Sequence, residues 1–139
     1  MSVVTNLNDS GPGSLRSFAG TSNTTIIFDV SGVINLSSVM FFTGSNVTIA
    51  GQTAPEGGIT IAGDVIIFQG NKNFICRYLR FRGGFPTSNK DGVSGYYWEN
   101  AIFDHCSVSF GTDEAMDISV DTVAEFGGNV TIQNCFFAE

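Results

Sequence analysis

The chain has 139 residues, which is enough for one domain, and 42% of them are hydrophobic while only 14% are charged. A net charge of −7 with few basic residues excludes a nucleic-acid partner. An acidic chain of this kind holds an anionic polymer only through a bridging cation. No apolar run approaches the roughly 18 residues of a membrane span, so no membrane partner is expected.

At the front, Met1 to Asn8 has neither the basic start nor the apolar stretch of a secretory leader. That leaves a mature form or another route of exit, such as that of a virion protein. Gly11-Pro12-Gly13 is a turn, and Ser14 suits the N-cap of a short helix over Leu15 to Ala19, ended by Gly20. Elsewhere the scarcity of Lys, Glu, Ala and Leu argues against helix. Seventeen glycines and three prolines point to many turns, and thirteen phenylalanines against one tryptophan suggest a core of stacked, similar side chains.

An internal period follows. Asn46, Asn73, Asn100 and Asn129 each open a similar segment, at spacings of 27, 27 and 29 residues, and Asn23 opens a looser copy. Counting from each asparagine, positions one and three are apolar: Val47 and Ile49, Phe74 and Cys76, Ala101 and Phe103, Val130 and Ile132. In the last three copies positions six and eight are apolar as well: Leu79 and Phe81, Cys106 and Val108, Cys135 and Phe137. The alternation gives each arm one buried face, and the change of phase between them marks a corner. The copy at Asn46 departs, with Gly51 and Gln52 where its second arm should begin.

Short strands around a corner, repeated at this period without long helices, mean a β-solenoid. The fold expected is all-β: a right-handed, single-stranded parallel β-helix over residues 1–139, with a short N-terminal capping helix. Equivalent residues of successive turns then lie about 4.8 Å apart. Cys106 and Cys135 should therefore stack in the core. Three cysteines without a CxxC motif read as small apolar side chains rather than as a disulfide framework or zinc site. The repeated asparagines suit a ladder at a turn. The Asn-x-Ser/Thr sequons at Asn8, Asn23, Asn35, Asn46 and Asn129 read as solenoid turns and strands. Because the sequence stops at Glu139, part-way through a turn, the expectation is an incomplete domain or a last coil covered by a partner. Such a partner would be another chain or a stacked copy, making a homo-oligomer.

Several segments resemble the pectate lyase family of parallel β-helices, polysaccharide lyase family 1, over its front portion. They are Val4 to Arg16, Ile26 to Ile34, Val47-Thr48-Ile49-Ala50-Gly51-Gln52-Thr53-Ala54-Pro55, Cys76-Arg77-Tyr78-Leu79-Arg80-Phe81-Arg82 and Phe103-Asp104-His105-Cys106-Ser107-Val108-Ser109. The resemblance implies a calcium site on the outside of one sheet. Its ligands would be Asp91, which stands upstream of Asp104 at the family's distance, together with Asp113 and, four positions later, Asp117. Asn89 and Glu114 are secondary candidates. The residues support the same site: calcium takes six to eight oxygens, carboxylates first. Asp113 and Asp117 both follow Asp91 by close to one asparagine period, which places them on the adjacent turn.

By the same resemblance the activity is calcium-dependent β-elimination of an acidic polysaccharide, in an extracellular protein. Arg80, Arg82 and Lys90 are the candidate substrate-binding residues. The family's base is an arginine, helped by a lysine and a second arginine, all beyond the calcium acids. No lysine or arginine follows Asp117 here, so no catalytic residue is assigned. His105, the one histidine, reads as a turn residue. The alternative is a non-catalytic polysaccharide-binding or structural β-helix, such as a phage tail-spike or fibre module.

Overall fold

The structure is a computed structural model that describes residues 1–83, 90–119 and 128–138. The strands lie in three sheets. The first holds β1 (Ser2–Val4), β2 (Thr24–Phe28), β5 (Val47–Ala50), β8 (Lys72–Arg77), β11 (Glu99–Asp104) and β14 (Gly128–Gln133). The second holds β3 (Gly32–Leu36), β6 (Ile59–Gly63), β9 (Leu79–Arg82), β12 (Ser107–Ser109) and β15 (Phe136–Ala138). The third holds β4 (Met40–Phe42), β7 (Ile66–Gln69), β10 (Val93–Tyr96) and β13 (Met116–Ser119). Neighbours within each sheet run parallel. The chain visits the sheets in turn, so the molecule is a parallel β-solenoid of about five turns.

The asparagine period sets the register. Asn23, Asn46, Asn73, Asn100 and Asn129 all adopt the left-handed backbone conformation, at φ between 52° and 60°. Asparagine tolerates that region better than most residues. Each amide nitrogen donates to the amide oxygen of the asparagine one turn earlier, at 2.9, 2.8, 3.0 and 3.0 Å. A second left-handed corner stacks Tyr78, His105 and Asn134 between the first and second sheets. It is the phase change read between the two arms. In the copy at Asn46 the chain instead makes a short 3-10 turn over Gly51–Thr53, and the second-sheet strand is delayed to Ile59.

The inward column of the first sheet runs Ile26, Ile49, Cys76, Phe103, Ile132. Its first four members are buried. Phe42, Phe68, Phe74, Phe103 and Trp98 pack ring on ring through the middle turns, with centroid separations such as 4.6 Å for Phe68 and Phe74. The Trp98 indole donates to the Phe68 carbonyl at 2.9 Å, so its one polar atom is satisfied inside the core. Opposite it stands Gly95, where a Cβ would come within 1.9 Å of the Trp98 ring. Cys106 is buried and Cys135, one turn on, is only partly buried; the Cys106 backbone N–H points at the Cys135 sulfur at 3.4 Å.

The expected capping helix over 15–19 is not formed. Leu15–Phe18 make a single 3-10 turn, and no α-helix occurs among the described residues. Ser14 does cap this turn, accepting from the Ser17 N–H. The segment between Gly13 and Gly20 is too short for the nucleation cost of an α-helix to be recovered. It is held instead by side chains. Arg16 pairs with Asp9 at 2.6 Å and donates to the carbonyls of Ser38 and Val39, while Leu15 and Ala19 are buried.

Phe74 touches three other rings of the core. Phe74→Ala is expected to cost about 3–5 kcal/mol, read as a lower urea midpoint at unchanged slope. A loss below about 1 kcal/mol would contradict this packing.

Candidate metal centre

The residues just ahead of the third-sheet strands follow the register of that sheet. Its register places Ile66, Val93 and Met116 side by side. Two residues ahead of each stand Asp64, Asp91 and Glu114. One position inside the strands, Ile67, Ser94 and Asp117 share a column. Backbone bonds hold the connections together: Gly92 N–H donates to the Glu114 carbonyl at 2.9 Å, and Thr112 N–H to the Lys90 carbonyl at 2.8 Å. Gly111 allows the tight turn into the last connection, since a Cβ there would sit 2.0 Å from the Glu114 carbonyl oxygen.

Asp91, Asp113 and Glu114 each offer a carboxylate oxygen within 4.8 Å of the others. Asp91 is half-buried and the other two are exposed. The Asp91 carboxylate is fixed on both sides. Ser94 Oγ donates to Oδ2 at 2.5 Å, and the Glu114 backbone N–H donates to Oδ1 at 3.3 Å. Asp117 stands on the rung beside Ser94 and accepts from Ser119 Oγ at 2.9 Å. The Glu114 carboxyl is pushed above its ordinary range, first by the hydrogen bond its protonated form makes to Asp91. The charge of Asp113 comes next, and partial desolvation and the charges of Asp91 and Asp117 add to it. Two oxygens bound to one calcium ion lie up to about 5 Å apart. The donor set therefore fits a hard, oxygen-seeking cation.

The sequence reading placed the metal ligands at Asp91, Asp113 and Asp117. The structure brings Asp91 and Asp113 together with Glu114, which was only a secondary candidate, and sets Asp117 beside Ser94, three residues beyond Glu114. Asn89 lies outside the described residues. Ser94 and Asp64 were not foreseen. Asp64 is legible in hindsight, because it precedes Asp91 by one repeat, the same interval that separates Asn73 from Asn100.

The three candidate substrate-binding cations are all engaged. Arg80 and Arg82 project from β9. Arg80 Nε donates to Thr60 Oγ1 at 2.8 Å and a second nitrogen bonds the Gly57 carbonyl. Arg82 donates to Ser107 Oγ at 2.9 Å. Neither has a carboxylate partner among the described residues. Lys90 Nζ lies 2.5 Å from Asp64 Oδ1.

His105 is the turn residue expected. Its ring stacks on Tyr78 at a centroid separation of 4.6 Å, and Nδ1 lies 2.7 Å from Asp104 Oδ1. The buried Asp104 carboxylate also accepts from Asn134 and from two nitrogens of Arg77. These bonds, Asn134 foremost and then Arg77 and His105, hold its carboxyl well below the usual carboxylate range.

Fold and cluster together define a class: a parallel β-helix with an outward rung of carboxylates suited to a divalent cation. Over 138 residues, 99% of its length, the chain is 43% identical to a protein of Aspergillus terreus named probable pectate lyase C. It is 42% identical to the protein of that name from Neosartorya fischeri and 44% to that from Emericella nidulans. It spans about a third of the length of these curated relatives, 32% of the first and 31% of the other two. The fold superposes on the crystal structure of Jun a 1, the major allergen from cedar pollen, with a TM-score of 0.72. That match covers 94% of this chain and 42% of the allergen, at 21% identity. No family model matches the chain. The resemblance to the pectate lyase family is thus shown across nearly the whole chain.

Two expectations follow from the titrations. A lowered carboxyl stabilises the fold above its unfolded value near 3.9 and loses that contribution as pH falls. Asp104→Asn should lower the melting temperature at pH 7 by several degrees, with the gap from the unsubstituted chain narrowing below about pH 4. A raised carboxyl has the opposite sign: the folded state binds the proton more tightly, so stability falls as pH rises through the titration. Glu114→Gln should therefore raise the melting temperature at pH 7 in chelator, and the gain should vanish below about pH 4. Scanning calorimetry across pH reads both.

Proposed function

We propose that the chain carries the calcium-binding part of a pectate-lyase-type protein, acting outside the cell on a polyuronate by calcium-dependent β-elimination. The observation that carries this reading is the convergence of Asp91, Asp113 and Glu114 within 4.8 Å. It is supported by the match to proteins named probable pectate lyase C over 99% of the chain.

Asp91, Asp113 and Glu114 would hold the cation, with Asp117 at the edge of its shell and Ser94 fixing the orientation of Asp91. Bound calcium supplies a positive charge that draws in the polymer's carboxylate and stabilises the negative charge built up there as the neighbouring proton leaves. The cluster brings three carboxylates together, and an anionic chain approaches it only with that charge compensated. Arg80 and Arg82, which have no carboxylate partner among the described residues, are suited to further carboxylates of the same polymer. No residue of this chain is assigned as the base. The strands that follow these carboxylates, β10 and β13, contain no lysine or arginine.

The test is incubation with polygalacturonate and calcium, following ultraviolet absorbance of the unsaturated product against a chelator control. Melting temperature is followed against calcium in parallel. Calcium should raise the melting temperature, since a ligand at a hundred-fold excess over its Kd stabilises by about 2.7 kcal/mol. Asp91→Asn should abolish the rise. Calcium-dependent product supports the lyase reading. A melting shift without product favours the alternative, a non-catalytic polysaccharide-binding β-helix. No shift at millimolar calcium removes the metal site.

A further inference from the structure

The connections entering the third sheet stack Asp64, Asp91 and Glu114 in one column and, one residue earlier, Gly63, Lys90 and Asp113 in the next. Lys90 is thus the chain neighbour of Asp91 and the rung neighbour of Asp113, whose backbone N–H donates to the Lys90 carbonyl at 3.3 Å. A flexible ammonium at this place is the natural partner for the three clustered carboxylates. It goes the other way. Its Nζ lies 2.5 Å from Asp64 Oδ1, on the far side from Glu114 along the column. Asp64 is only 8% exposed, and the same oxygen also accepts the Val65 N–H at 2.8 Å. A buried carboxylate fixed in this way is costly to leave without its cation, so its hold on Lys90 is firm. Among the described residues the other ion-paired cations are committed elsewhere: Arg16 to Asp9, Lys72 to Glu99 and Arg77 to Asp104.

We propose that Asp64 is a positioning residue for the metal centre: by capturing Lys90 it keeps an intramolecular cation out of the Asp91–Asp113–Glu114 cluster. This rests on the reading that the cluster binds calcium. Asp64 is not one of the three clustered carboxylates; it acts through Lys90. The acids of one column are then partnered differently. Asp64 holds a resident monovalent charge, and Asp91 and Glu114 are kept for a divalent one. Released from Asp64, the ammonium would compete for the same carboxylates, which attract it at close range in a partly desolvated setting.

A double-mutant cycle read by calcium-titration calorimetry at neutral pH tests this. The set is the unsubstituted chain, Asp64→Asn, Lys90→Met and the double variant, each melted in chelator to check its fold. Asp64→Asn should weaken calcium binding about tenfold, because it removes a distant charge and also frees a competitor. In the Lys90→Met background the same substitution should change Kd by less than about threefold, only the loss of a distant charge remaining. Equal weakening in both backgrounds, or none in the first, overturns the inference while leaving the metal site intact. Absence of calcium uptake by the unsubstituted chain overturns the proposed function itself. Should Asp64→Asn not fold, Asp64→Ser takes its place with the same expected outcomes.

Discussion

Register is the constraint on which everything else rests. In a parallel solenoid, residues one turn apart are forced to be neighbours at strand spacing, whatever their chemistry. The asparagine ladder enforces this at a corner. Each member takes a backbone conformation most residues resist, and each amide satisfies the next. Once that corner is aligned, the Phe and Ile columns inside and the charged columns outside have no freedom to slip. A slip of one residue would turn Phe74 and Phe103 outward.

The same constraint makes charge patterning consequential. Like charges one repeat apart are pressed together, as Asp64, Asp91 and Glu114 are. The structure deals with each differently. Asp64 is buried and paired with an ammonium. Asp91 is pinned by a hydroxyl and a backbone N–H. Glu114 is left with its carboxyl raised by its neighbours. At the other corner Asp104 shows the contrasting solution, a single carboxylate surrounded by donors from three successive turns. Asp91 and Asp104, acids of the same turn, thus have opposite electrostatic surroundings.

Much of this was legible in the sequence because a solenoid converts spacing directly into proximity. The asparagine period marked the corners, and the apolar positions after each asparagine marked the inward columns. Asp91 and Asp113 came from the family resemblance, and their separation of about one repeat agreed with it. Legibility failed where local detail decides. Ser14 and the apolar residues after it looked like a helix start, yet the segment closes as one 3-10 turn because Arg16 and Asp9 tie it to the β3–β4 connection. Glu114 displaced Asp117 from the tightest cluster because the turn at Gly111 sets which carboxylates precede the strand and which lie within it. The direction taken by the Lys90 side chain depends on Asp64 being buried, which spacing alone does not reveal.

The ladder spacings of 23, 27, 27 and 29 residues have a consequence for how such a protein can change over time. Turns of unequal length meet in register at the same corner, so every length difference is absorbed by the connections outside the strands. A coil can therefore gain or lose a few residues at its outer bends without disturbing the rungs on either side. The scaffold separates two kinds of heritable variation. Substitutions on the columns are judged by stability, while insertions at the bends reshape the outer surface with the frame unchanged. A lineage built on this frame can alter what its surface meets without rebuilding its interior.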